Sequence, residues 1–164
     1  MKSINFLKRL KKEGKLELVE PSDVISSSYI EKSESNLESA KILIESDKLE
    51  ESVSLAYYSM YHLLTSLLFK VGIKYENHTG SIIILKEIFE IDNEFILSSK
   101  KERVDKQYYV DFSITKNEVE EMIKWVEDFN KIIYDFIEKI SNENIKEYRK
   151  KLEKIVEWII IYKS

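Results

Sequence analysis

A chain of 164 residues and 19.5 kDa suits one domain, and 43% apolar with 34% charged residues permits a packed core and argues against global disorder. The absence of Cys excludes disulfides, thiolate metal sites and a Cys nucleophile, and two His (His62 and His78) exclude a His-rich metal centre. Three Gly and one Pro are too few for a β-sandwich, a doubly wound sheet or a Gly-rich phosphate loop, so the composition favours long helices.

The net charge of −4 does not point to a general nucleic-acid binder, but it is unevenly spread. Lys2, Lys8, Arg9, Lys11, Lys12 and Lys15 against Glu13 give residues 1–16 a charge of +5 and leave −9 on the rest. Such a basic arm suits phosphate groups, its own acidic body or a partner. The first residues lack the apolar stretch of a signal peptide, and no run approaches a membrane span, so the expected location is the cytoplasm.

In chain order, Ile4, Phe6, Leu7 and Leu10 predict a short helix stopped at Gly14, and Leu16–Glu20 an extended link to Pro21. Ser22 and Asp23 open a helix whose stripe is Tyr29, Ser33, Leu37, Ala40 and Ile44, with a turn at Asp47 and Lys48. Residues 49–71 carry the widest apolar face, from Val53 to Val71, and Gly72 stands where a left-handed cap belongs. That segment is the expected central helix. After a link over Ile73–Thr79, a helix is predicted for Gly80–Phe89, with Thr79 or Ser81 as its cap, and another from Phe95 to about Val110. Thr115 and Glu118 fit a capping box ahead of a long helix with Val119, Met122, Val126, Phe129, Ile133 and Ile137. Ser141 and Asn142 restart the pattern, and Ile145, Tyr148, Leu152, Ile155 and Val156 make a last amphipathic helix. Trp125 and Trp158 are assigned to core or interface. The expected organisation is a basic helical arm and linker over residues 1–20, an all-α up-down bundle over 21–140, and a C-terminal helix over 141–164 packed on it.

Two segments carry candidate chemistry. Residues 100–111 (KKERVDKQYYVD) gather Arg103, Asp105, Gln107, Tyr108 and Tyr109. Arg suits bidentate phosphate binding, and Tyr both stacks on bases and donates hydrogen bonds. A surface Arg–Asp network with two half-buried Tyr is the structural alternative. Asn77 and His78 precede a helix, where an anion is favoured and His78 could serve as a base; its structural alternative is a loop-fixing hydrogen bond. His62 is expected to be packed or interfacial. Paired glutamates such as Glu50 and Glu51 read as solvated faces, no Glu-x-x-His pair exists for a di-iron site, and no nucleophile elbow supports a Ser triad.

Three segments in order resemble the HEPN superfamily, in particular its small stand-alone prokaryotic members. They are SYIEKSESNLESAKIL, with Tyr29, Ser33, Leu37, Ala40 and Leu43; SVSLAYYSMYHLLTSLLFKVGIKYENHTG, with an Ala-Tyr-Tyr-x-Met-Tyr-His helix and a His-Thr-Gly turn; and ERVDKQYYVD before a Thr-capped helix. The resemblance covers about residues 21–140, and more weakly the lead-in LKRLKKEGKLELVEP. It implies an HEPN-like bundle of four to five long helices with a short N-terminal helix, assembled as a homodimer. It further implies no cofactor and no metal, and a component of a toxin–antitoxin or defence-type module that binds a nucleotidyltransferase partner, RNA or both. Members that are metal-independent endoribonucleases use Arg, four to six residues, then His, in a cleft shared by two copies. Others are non-catalytic nucleotide-binding dimers. Here no Arg is followed by His at that spacing; Tyr108 and Tyr109 stand fifth and sixth after Arg103, and Tyr is a poor base at pH 7. The resemblance therefore carries over Arg103 as a site residue. The catalytic set would be Arg103, Tyr108, Tyr109 and His78, the binding set Arg103, Asp105, Gln107, Asn77 and His78, and whether the chain is an enzyme stays open at this point.

Overall fold

The computed structural model describes residues 2–108 and 113–157, with residues 103–108 described as helical backbone alone. Among these residues the order is α1 (Lys2–Lys12), β1 (Leu16–Leu18), α2 (Asp23–Glu45), α3 (Leu49–Val71), β2 (Ile73–Tyr75), α4 (His78–Glu87), α5 (Glu94–Tyr108), α6 (Lys116–Lys139) and α7 (Asn142–Glu157). Five of the helices are long and two short, so the expected all-α bundle is what the chain forms. Its single sheet among the described residues is a two-stranded antiparallel pair, with Leu16 opposite Tyr75 and Leu18 opposite Ile73. The stretches expected as links thus zip together, because alternate residues Leu16 and Ile73 bury against the core while Glu17 and Lys74 face water.

The central helix is α3. Val53, Ala56, Met60, Leu64, Leu67, Leu68 and Val71 are fully buried, and α2, α5, α6 and α7 all pack on it. The turn between α2 and α3 is short, with Asp47 at φ 56°, so the two helices lie side by side. Their seam is built from small residues. Ser26 and Ser66 share a hydrogen bond of 2.8 Å, Ser52 donates to Ala40 O at 2.8 Å, and Ser33 and Ser59 each donate to the other's carbonyl, at 2.7 and 2.9 Å. Ser26 and Ser33 of α2 are therefore interior packing, with their hydroxyls bonded across the seam, whereas Ser27, Ser28 and Ser35 are exposed.

The caps follow the local chemistry. Ser22 accepts from Ile25 N, and Thr115 with Glu118 forms the capping box. One cap differs from expectation: Asn77, rather than Thr79 or Ser81, caps α4, and the helix starts at His78 instead of Gly80. Asn77 takes the extended backbone and accepts from Gly80 N at 2.9 Å, which pulls two more residues into the helix. The basic arm is docked: Leu7 and Leu10 are buried and α1 packs on α4 and α7. A Cβ on Gly80 would overlap Leu10 Cδ1, so this glycine permits the close approach of α1 to α4. Trp125 departs from the core assignment, with 56% of its surface exposed, because it stands at the edge of the buried α6 stripe of Met122, Val126 and Phe129. Its interfacial alternative stands untouched, and Trp158 lies outside the described residues.

Candidate functional site

The first turn of α4 is held from three sides. Ser81 donates its hydroxyl to His78 O at 2.8 Å within the turn. From α3, the Tyr61 ring stacks on the His78 ring, with centroids 3.9 Å apart and planes 22° apart. From α5, Lys100 Nζ donates to Thr79 Oγ1 at 2.6 Å.

Behind His78 lies a run of buried hydroxyls. Thr65 donates to Tyr61 O at 2.8 Å and shares a short hydrogen bond with the Tyr75 hydroxyl. Tyr61, 8% exposed, also hydrogen-bonds toward Tyr75 and Ser81. Burial raises both phenols above the ordinary tyrosine value, Tyr61 the more strongly. At neutral pH they are uncharged donors and acceptors that fix the platform under His78, and neither supplies a base.

The contact between Lys100 and Thr79 decides which distant segments meet. Along α5 the positions 100, 103 and 107 share one face. The backbone thus sets Arg103 one turn beyond a residue that touches the α4 start, and Gln107 one turn further. The α4 start at 78–79 and the Lys100 turn of α5 thus meet, and Tyr61 sets the α4 start beside the middle of α3. The side chains of Arg103, Asp105, Gln107 and Tyr108, and the whole of Tyr109, lie outside the described part. Asn77 is engaged as the α4 cap, so its carbonyl oxygen serves the fold.

Sequence reasoning did not single out Tyr61 or Lys100 as site residues. Tyr61 lies four residues after Tyr57 and four before Thr65, a helical spacing that marks a buried polar stripe and says nothing of a ring beneath His78. Lys100 was visible as part of the basic run, and its pairing with Thr79 is long-range.

His62 stands apart from this turn. Its ring lies 5.7 Å from Tyr29 and 5.9 Å from Tyr58, and its Nδ1 is buried without a hydrogen-bond partner among the described residues. Burial, helped by the Lys32 ammonium, holds its pKa below the ordinary histidine value of 6.5. The unfolded chain therefore takes up this proton first as pH falls. Stability should be complete above about pH 6.5 and decline on acidification toward the lower folded value. The melting temperature of the parent is expected to fall more steeply between about pH 7 and pH 5.5 than that of His62→Gln. Parallel pH profiles would contradict this.

Among the described residues no group of three or more His, Asp or Glu is placed to hold a metal ion, and no helix is long and apolar enough to cross a membrane. The arrangement at the α4 start combines a stacked imidazole, an ammonium and a helix N-terminus, which suits contacts to an anionic oxygen.

Comparison with known proteins agrees with this architecture. A 54-residue stretch is 44% identical to UPF0332 protein PH1297 of Pyrococcus horikoshii, covering 33% of this chain and 38% of that protein. The match thus spans well under half the length of this curated relative. No solved structure matches. The family model described as HEPN domain matches residues 26–162, from the first turn of α2 through α7. With most of its length matched, the chain belongs to the HEPN domain family.

Proposed function

We propose that this chain is the HEPN component of a toxin–antitoxin or defence-type module, and that it works as a homodimer which binds RNA, a nucleotidyltransferase partner, or both. The observation that carries the RNA part is the bond from Lys100 to Thr79. It joins the helix that carries Arg103 to the His78 turn, which supports a shared site formed by α5 and the α4 N-terminus. Arg103 is assigned to the RNA phosphate, with Asp105 orienting it and Gln107, Tyr108 and Tyr109 completing the wall near the dimer axis.

A second reading, a metal-independent endoribonuclease with an atypical site, rests on the same juxtaposition. His78 replaces the histidine that normally follows the Arg in sequence, and Tyr61 holds its ring from behind. The non-catalytic nucleotide-binding dimer is the reading left if RNA does not bind.

The deciding measurement is RNA binding by fluorescence anisotropy, followed by RNA cleavage in EDTA. Arg103→Ala is expected to weaken binding about tenfold or more, as loss of a charged hydrogen bond to phosphate predicts. Unchanged affinity would remove Arg103 from the site. Cleavage that survives EDTA and disappears in His78→Ala would select the endoribonuclease. Binding without cleavage would select the binding component.

A further inference from the structure

Along α5 the positions 95, 98, 99 and 102 share one face, and along α6 so do 118, 121, 122 and 125. The two faces look at each other across a cavity of about 260 Å³. Phe95 and Trp125 close one end of it, with ring centroids 6.1 Å apart and planes 39° apart. Met122 is buried and forms an apolar floor. Glu102, two turns on along α5, and Glu118, two turns back along α6, stand toward the other end, and Glu121 lies between. Glu118 is engaged, since its Oε2 accepts from Thr115 N and Oγ1 in the capping box. Glu102 and Glu121 are exposed, and the ion pairs of α6 among the described residues use Glu120 and Glu127 instead. No Lys, Arg or His lines the cavity among the described residues. An aromatic wall, an apolar floor and carboxylates thus share one cleft.

We infer that this cleft receives an arginine side chain presented by a partner protein, its guanidinium between the Trp125 ring and the Glu121 carboxylate, with Glu102 facing it from α5. The inference goes beyond the RNA reading, because carboxylates repel a phosphate chain. Three observations choose the occupant. Among the described residues no group of His, Asp or Glu is placed to hold a metal ion, so these carboxylates call for a cation with extent of its own. The volume lies just below the ~300–1,000 Å³ of small-ligand sites, which fits one side chain better than a whole ligand. Trp125 keeps more than half of its surface in solvent, and an indole is the best ring for a cation. Between the two cationic side chains, the planar and weakly hydrated guanidinium both stacks on rings and pairs with carboxylates, whereas the strongly hydrated Lys ammonium gains less in such a cleft. Trp and Arg are also the types that carry much of the energy at protein interfaces. The interfacial assignment of Trp125 thereby gains a partner chemistry.

The test titrates three blocked peptides, acetyl-Gly-Arg-Gly-amide and its Lys and Gln counterparts, into the protein and follows the backbone amide signals of positions 98, 99 and 122 by NMR. Four proteins are needed: the parent, Trp125→Leu, Glu102→Gln with Glu121→Gln, and a control with the same charge change on the exposed Glu31 and Glu138. All substitutions are at exposed positions, and melting curves confirm the fold. The Arg peptide is expected to shift these signals saturably, with a roughly millimolar Kd. It should bind about threefold or more tightly than the Lys peptide, and the Gln peptide should not saturate. Trp125→Leu is expected to weaken the Arg peptide about threefold or more, as a lost cation–π contact predicts. The paired glutamate variant should weaken it about tenfold, and the control should stay within about twofold of the parent. No saturable binding of the Arg peptide, or equal binding of the Lys or Gln peptide, would overturn the inference. Equal losses in the control and the cleft variant would reduce it to a general charge effect and overturn it too. Spermidine binding more tightly than the Arg peptide at the same amides would assign the cleft to a free polyamine and overturn the partner. RNA plays no part in this readout, so failure of the cleft leaves the Arg103 site untouched.

Discussion

Gly72→Ala is expected to lower the stability of the protein by about 2–5 kcal/mol, which at this size lowers the melting temperature by on the order of 10 °C. Gly72 ends α3 at φ 80°, ψ 43°, and its N–H bonds back to Leu68 O and Phe69 O. An L-residue in that left-handed region costs about 1–2 kcal/mol. Space adds a second penalty. A Cβ there would overlap Arg149 Nη1 and Val19 O and stand 2.9 Å from Pro21 N. Overpacking of this kind costs about 1–3 kcal/mol.

The same joint explains Arg149. Its Nη1 donates to Val19 O at 2.7 Å, to Val71 O at 3.0 Å and to Gly72 O at 2.9 Å. A guanidinium from α7 thus caps the C-terminus of α3, where the helix dipole favours positive charge. Arg149→Ala should itself be destabilising by about 1.5–3 kcal/mol. The double variant should lose less than the sum, because both changes break one joint. Denaturant unfolding of the four proteins measures this. A loss under about 1 kcal/mol for Gly72→Ala would contradict the clash.

Ser59→Leu should cost about 3–5 kcal/mol, against about 1–2 kcal/mol for Ser59→Ala. Ser59 sits where α2, α3 and α6 meet and is fully buried. Its hydroxyl donates to Ser33 O at 2.9 Å and accepts from Asn130 Nδ2 at 2.9 Å. Alanine keeps the space and removes these bonds, leaving Asn130 Nδ2 without this acceptor. Asn130 Oδ1 is already buried with no partner among the described residues, so this corner has little reserve. Leucine removes the same bonds and inserts added volume into a seam whose neighbours are Ser33 and, one turn along α3, Ala56. The contrast between the two variants separates hydrogen bonding from packing. Equal losses by chemical denaturation would show that the seam can open without cost and would remove the packing part of the account.

Local chemistry was sufficient for much of this fold. The stripe of α2, the apolar face of α3, the left-handed stop at Gly72 and the Thr115–Glu118 capping box are all short-range patterns, decided within one or two helical turns. The family, too, was legible, because its marks are ordered local segments. The candidate residues Arg103 and His78 could be named for the same reason, from residue type and position beside a helix. What the tertiary structure decided is how separate segments combine. The pairing of β1 with β2 joins Leu18 to Ile73, 55 residues on, and three-residue strands carry too little pattern to announce a partner. The choice of Asn77 over Thr79 as a cap depended on which residue could take extended backbone next to β2. Arg149 reaches across 77 positions to Gly72, and no sequence signal marks a side chain whose acceptors are backbone carbonyls. The meeting of Lys100 with Thr79 and of Tyr61 with His78 follows from how α3, α4 and α5 pack. Periodicity fixes which face of a helix is buried, but only the packed arrangement fixes what that face meets.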